Sequence, residues 1–591
     1  MSSIRLAAMS AILLFTLSAC GRDDSSAGSS GSANGLLAYV PAGTPYLGGN
    51  LEPTPSEVVD GILQKMEPMT DTLQLQLARV KAQIETHPEY AGAESKLLLA
   101  LLQELDGKLN RPGLESLGID LQSYHVVYGM GPYPVMRMSL KDSAALKATI
   151  QRVLDNAGIP SPEMDYQGQP FWKIPAGSQR RNHDLPISLY VAILPDHMAI
   201  GVIPERLEAE LLPAFLGKEL PGSSDADERL AALNQQYEYL PYFTGVLDLN
   251  LLADEFFNPG TILARSLDEE HAGELADISE QCKVEFRQII ANAPRLVMGT
   301  TDLQADVIGV QYLAETPPAL AGELVELLAE IPMASALSTR LLELSFGIKV
   351  GATRDFLREK ATAITAAPYQ CEHLLELNDY AAQGLDKLQQ PIPPFVNNFR
   401  GVRLSLSSLS MGGSLPYEAA GLLAVYVVQP EMFVGMAQMF LPDLSALNLV
   451  KGEPPVPVPT SLIPVPDIVA FAALSDTAIG VSVGSGEESG LLPFLNEKAN
   501  DRGILLSANY DAAAYMDFTE NMSDTMEALA AQEEDGSAGD EDDEFAREQE
   551  QMARDIARAV QQSYRSVVDR SLLDIRFTAD GVVVDSKMTF K

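Results

Sequence analysis

The five residues Gly480-Val481-Ser482-Val483-Gly484 set a serine two positions from a glycine on either side, the spacing of a nucleophile elbow. An elbow needs a strand-to-helix turn to lift the hydroxyl out of the sheet and an imidazole to take its proton. The six histidines are His87, His125, His183, His197, His271 and His373, so none follows Ser482 in the chain. The alternation Ile479, Val481, Val483 also reads as the second strand of a hairpin rather than a turn. A sheet position is expected for Ser482, although a triad in another chain order meets no formal bar.

The following stretch, Gly484–Gly490 ("GSGEESG"), imitates a phosphate loop. Its glycine spacing is too long, however, and Glu487 and Glu488 would meet phosphate with like charge. No histidine pair stands at i, i+4, as a helical zinc site would require. The cluster "DEEHAGE" around His271, and His373 with Glu376 one turn on, read as solvated helix faces. No cofactor, metal or catalytic residue is therefore assigned. The 81 acidic residues leave a carboxylate pair for acid–base work open.

Cys282 and Cys371 are two of three cysteines. In an oxidising compartment an even pair reads first as a disulfide. A redox pair and two buried thiols are the alternatives; neither cysteine lies in a Cys-x-x-Cys motif.

Two phrases name the elements that must position these residues. "ILPDHMAIGV" ends at Val202, and "ALSDTAIGV" ends at Val481. The correspondence continues: "LLPAFLGK" (211–218) with "LLPFLNEK" (491–498), "VLDLNLLADEF" (246–256) with "SANYDAAAYMDF" (507–518), and "ADVIGV" (305–310) with "ADGVVV" (579–584). Four matches in one order predict a duplicated unit. The phrases read as hairpins turning at Pro195-Asp196-His197 and at Ser475-Asp476-Thr477. The fold class expected is α+β: two tandem copies of one domain, 36–325 and 326–591, each a mainly antiparallel sheet with helices packed on it.

The copies differ in insertions. Residues 54–109 carry helices in the first. The prolines of "PPVPVPTSLIPVP" (454–466) predict an extended arm in the second. The corresponding arm of the first holds the only tryptophan, Trp172, either a partner anchor or a hairpin staple. Met432, Met436 and Met439, with Phe433 and Phe440, recur at helical spacing and read as a core-packing stripe. "EEDGSAGDEDDEFAREQE" (533–550) is a like-charge block, so 531–543 reads as a disordered acidic loop, with loose calcium binding at most. A helical stripe follows through Met552, Ile556, Val560, Tyr564 and Val567.

A formal charge of −40 over 591 residues disfavours nucleic acid as a partner and repels anionic lipid. Membrane contact then needs an anchor. Arg5, an apolar stretch from Leu6 to Leu17 and the ending Leu17-Ser18-Ala19-Cys20 resemble the bacterial lipoprotein signal. That resemblance implies a signal peptide over 1–19, cleavage before Cys20 and lipidation of Cys20, acyl chains such as palmitate giving a stable anchor. Residues 20–35 form a polar tether reaching roughly 20 Å. Asp23 and Asp24 are not directly after the cysteine, so by the sorting pattern of such proteins the outer membrane, facing the periplasm, is expected; the inner membrane and cell surface are the alternatives.

"YVPAGTPYLGGNLEP" (39–53), "PRLVMGTTDL" and "PYQCEHLLELN" resemble uncharacterised Gram-negative envelope lipoproteins whose mature chain begins with VPA-x-TPY. The resemblance brings no activity and no site residues. The function expected is a non-enzymatic interaction or scaffold module with an envelope protein partner. The alternatives are a carrier of lipid or another apolar ligand and a carboxylate-dependent hydrolase of envelope polymers.

Overall fold

The computed structural model describes residues 34–66, 93–158, 163–175, 187–267, 273, 275–334, 338–412, 415–440, 444, 447–463, 468–499, 502–517 and 564–591. Cys20, the tether as far as residue 33, the acidic block and most of the stripe from Met552 lie outside them, as do His87, His183 and His271. The chain is α+β, and its described strands pair antiparallel throughout. It divides into two compact units between Ala314 and Glu315.

In the first unit the strands are β1 (Tyr46–Gly49), β2 (His125–Met130), β3 (Tyr133–Ser139), β4 (Met164–Tyr166), β5 (Gln169–Pro175), β6 (Ile187–Ile193), β7 (His197–Pro204), β8 (Thr244–Asp248), β9 (Arg295–Gln304) and β10 (Val307–Glu315). Their spatial order is β4-β5-β6-β7-β3-β2-β1-β8-β9-β10. The helices that matter are α1 (Ser56–Met66), α2 (Ala93–Leu105), α3 (Ser143–Ala157), α4 (Glu208–Phe215), α5 (Ala226–Tyr237) and α6 (Glu280–Ile290). Helix α3 starts where the Asp142 carboxylate accepts from the Ala144 and Ala145 amides, and it stops at Gly158, whose φ of 63° ends the last turn. Its buried stripe, Leu146, Val153 and Leu154, follows the helical repeat. Leu146 and Leu154 pack with Trp172, Val191 and Ile193 on one sheet face. Trp172 is thus a buried staple of its hairpin and not a partner anchor.

In the second unit the strands are β11 (Leu342–Gly347), β12 (Phe399–Gly412), β13 (Leu415–Val427), β14 (Val456–Pro457), β15 (Ala470–Leu474), β16 (Ala478–Val483), β17 (Ile504–Asp511), β18 (Val568–Thr578) and β19 (Gly581–Phe590). They run β14-β15-β16-β13-β12-β11-β17-β18-β19. Counted within the unit, this is the order of the first unit from β5 onward. The helices are α7 (Pro318–Glu326), α8 (Val350–Ala366), α9 (Leu375–Gln389), α10 (Pro430–Phe440) and α11 (Glu488–Leu495). Within the extended proline arm, Val456 and Pro457 pair with Ala472 and Phe471 and lengthen the sheet, because β14 needs only a short ladder that a proline can border.

The repeated phrase forms β7 and β16, each the second strand of a hairpin. Its glycine is required by close packing. A Cβ on Gly201 would lie 3.0 Å from the Phe215 ring on α4, and one on Gly480 would lie 2.6 Å from Leu495 on α11. Both helices carry an internal proline, Pro213 and Pro493. The matching "LLP" segments therefore cover the matching glycines.

Candidate functional site

Ser482 stands in β16 opposite Leu422 and Phe471, fully buried, and its hydroxyl has no hydrogen-bond partner among the described residues. A hydroxyl held inside a sheet cannot meet a substrate. The following loop is closed by charge: Arg340 Nη1 donates to both Glu487 oxygens at 2.8 and 2.9 Å, and Ser407 Oγ donates to Oε1 at 2.5 Å. His373 is exposed beside Glu372, at 3.6 Å. Among the described residues no three histidine, cysteine or acidic side chains are grouped to hold a metal. Cys282, on α6, and Cys371, just before α9, are both buried and both disulfide-bonded. The methionine stripe departs from expectation in part: α10 leaves Met432 and Met439 exposed, while Phe433 and Met436 are half-buried.

Sequence reasoning passed over two arginines that the fold buries. Arg137 sits mid-strand on β3, between Val126 of β2 and Ala199 of β7, with no exposed surface. Its Nε donates to Tyr128 Oη (3.1 Å), Nη1 to His197 Nε2 (2.9 Å), and Nη2 to the Phe215 and Ala214 carbonyls (2.8 and 3.3 Å). These carbonyls end α4, where the helix presents partial negative charge. The Tyr39 ring lies 4.1 Å from the guanidinium, a cation–π contact that gains strength away from water. An arginine only donates, so His197 Nε2 must accept and Nδ1–H donates to Asp196 Oδ1 at 2.8 Å. Burial holds the His197 pKa below its ordinary value; the Asp196 hydrogen bond opposes that shift and the neighbouring Arg137 charge adds to it. The buried His125 imidazole, stacked on Phe243 at 5.8 Å, is pushed down to about 4 by burial.

The second unit places Arg403 on β12 and Tyr426 on β13, both buried. Arg403 pairs with Glu497 and lies 4.3 Å from the Phe494 ring. Tyr426 Oη donates to the Phe494 carbonyl at 3.5 Å, at the end of α11. Burial raises the Tyr426 pKa to about 12, against the pull of Arg403. Registered on the glycine of the repeated phrase, Tyr128 and Arg403 occupy one position, and Arg137 and Tyr426 another. Arginine and tyrosine have exchanged strands.

The cross-strand rows through these positions differ in chemistry. In the first unit the row reads Tyr128, Leu47, Val246, Val297, all buried. In the second it reads Arg403, Ser345, Ser507, Asp574, also all buried, with Ser405, Glu343 and Asn509 in the next row. Ser507 Oγ donates to Asp574 Oδ1 (2.5 Å) and Ser405 Oγ to Glu343 Oε1 (3.3 Å). Arg570 Nε donates to Asn509 Oδ1 (3.1 Å). Ser345 Oγ and Arg403 Nε have no hydrogen-bond partner among the described residues. Helix α5, which buries Leu230 and Leu233 and packs on β1 and β8 of the first unit, has no counterpart among the described residues between α11 and β17 of the second.

Helices α8 and α9 form an antiparallel hairpin. Arg354 closes one end, donating from Nε to the Leu388 carbonyl and from Nη2 to the Gln390 carbonyl, both at 2.7 Å. Asn378 closes the other by exchanging two 2.9 Å hydrogen bonds with the Tyr369 backbone. No α8 side chain is buried, and Ala381 is the one buried residue of α9. Leu357, Leu375, Leu377 and Tyr380 are exposed, Tyr380 at 65%. Such a hairpin is fixed at its ends while its apolar groups remain in solvent.

Comparison of the chain with protein-family models, with curated proteins and with solved structures gives no match.

Proposed function

We propose that the protein is a lipid-anchored, non-enzymatic interaction module of the cell envelope, held at the periplasmic face of the outer membrane through Cys20. The observation that carries the interaction reading is the α8–α9 hairpin, whose helices bury one side chain between them yet expose Leu357, Leu375, Leu377 and Tyr380. Tyrosine is enriched among the residues that anchor protein partners, and an apolar helix face is what a partner's groove receives. The test is a photo-crosslinking side chain at Tyr380 in intact cells, with Lys218 as the control position. Discrete protein adducts at 380 and none at 218 support the reading. Lipid adducts at 380 turn it toward a carrier, and no adduct above the control overturns it. The anchor is tested separately: Cys20→Ser abolishes palmitate labelling and releases the chain from the membrane fraction.

The body is one domain written twice. Support comes from the shared strand order, the twin proline-containing helices over twin glycines, and the Arg–Tyr exchange in register. A crystal structure in which β5–β10 fail to superpose on β14–β19 ends this reading.

A further inference from the structure

The first described segment of the chain, Asn34–Val40, is held against its unit at both ends. Asn34 Nδ2 donates to the Asn50 carbonyl (2.7 Å) and the His125 carbonyl (3.3 Å). Leu36, Leu37 and Val40 are buried, and Ser224 Oγ donates to the Leu37 carbonyl at 2.8 Å. At the far end the Tyr39 ring meets both Arg137, at 4.1 Å, and His197, at 5.0 Å. The groups that face His197 are Arg137 from β3, Asp196 from the hairpin turn, and Tyr39 from the segment itself. Arg137 is faced in turn by Tyr128 from β2 and by two carbonyls of α4.

We propose that Arg137, His197 and Tyr39 form an acid-opened clasp on the N-terminal segment. The clasp depends on a neutral imidazole, because only an unprotonated Nε2 can accept from Arg137 Nη1. A proton added there sets two N–H donors and two positive charges 2.9 Å apart on side chains that expose no surface. Asp196 remains on the opposite nitrogen and favours the charged ring, so relief comes by moving the imidazole away from the guanidinium. The Tyr39 ring lies against the guanidinium and tilted against the imidazole, and loses that seat when they part; the Asn34 and Ser224 hydrogen bonds and the buried Leu36, Leu37 and Val40 are the remaining ties of the segment. On the separate reading that the chain is anchored at Cys20, release would lengthen the leash by roughly 20 Å, at about 3.3–3.6 Å per extended residue.

The experiment is hydrogen exchange on the purified full-length chain, followed at the amides of Leu36, Leu37 and Val40 at pH 7.5 and pH 5.0 and corrected for intrinsic rates. Protection should fall at least tenfold at pH 5.0. His197→Gln keeps a neutral acceptor toward Arg137 and cannot be protonated in this range, so it should hold its protection at both values. Histidine resonances of the wild-type chain supply an independent measure, since His197 should titrate along the same curve as the loss of protection. Unchanged protection at pH 5.0, or loss of protection along a curve that His197 does not follow, overturns the proposal. None of these readouts depends on lipidation, so a failed clasp and a failed anchor are distinguishable.

Discussion

Arg137 donates to Tyr128 across β2 and β3 at 3.1 Å, and the same two registered positions on β13 and β12 hold Tyr426 and Arg403 in the reverse assignment. Arg137 reaches the carbonyls that end α4, and Tyr426, at the matching position, reaches the Phe494 carbonyl near the end of α11. In the first unit the pair is constrained, because the buried Arg137 guanidinium places its donors on Tyr128, His197 and two helix-end carbonyls. Arg137→Tyr should cost about 3 kcal/mol, by orphaning His197 and two carbonyls, and Tyr128→Arg should cost at least as much. The double exchange should lose less than the sum of the singles by at least ~1 kcal/mol. Urea unfolding of the four chains of this cycle measures the coupling, and strict additivity would refute it.

His125 and His197 predict acid sensitivity. Both are held neutral in the fold with pKa values below the ordinary histidine value, His125 at about 4. The unfolded chain therefore binds more protons as pH falls through the ordinary value near 6.5, and stability declines from there toward pH 4. For His125 the full linkage is roughly 3 kcal/mol. His125→Gln should flatten the dependence of the urea midpoint between pH 7.5 and 4.5. A midpoint independent of pH in the wild-type chain contradicts the burial argument.

Ser482 and Ser345 have buried hydroxyls with no partner among the described residues. Removing an unmatched hydroxyl removes a desolvation cost, so Ser482→Ala and Ser345→Ala should be neutral or stabilise by up to about 1 kcal/mol. A serine-reactive phosphonate should leave Ser482 unlabelled in the folded chain. Labelling would restore the nucleophile reading.

Gly480 lies against Leu495 and Leu491 on α11. Gly480→Ala should destabilise by about 1–3 kcal/mol through overpacking. Gly201→Ala has slightly more room before Phe215 and Val135, and should cost less. Thermal melts of the two variants check both the sign and the order.

Cys282 and Cys371 are disulfide-bonded. Each Cys→Ser variant should migrate on a non-reducing gel as the reduced wild type does. A wild-type chain whose mobility does not respond to reductant would contradict the bond.

Much of the architecture was legible locally. Alternating strands, the paired hairpin turns and the placement of Ser482 inside a strand all follow from side-chain period and turn chemistry, which act over a few residues. The lone arginines in "PVMRMS" and "GVRLSLS" were the available signal for buried charge, but a period-two pattern does not say which face water reaches. Tertiary structure alone decided the rest. Arg137 meets His197 and Phe215 through a sheet that orders β7 beside β3 and a helix folded back over both. The row Arg403, Ser345, Ser507, Asp574 is polar across four strands that are remote in sequence. Met432 and Met439 carry the spacing of a core helix and still face solvent. The reason is physical: helix and strand periodicities are set by each residue's own backbone, whereas cross-strand register and the presence of a covering helix join segments whose separation leaves no trace in local order.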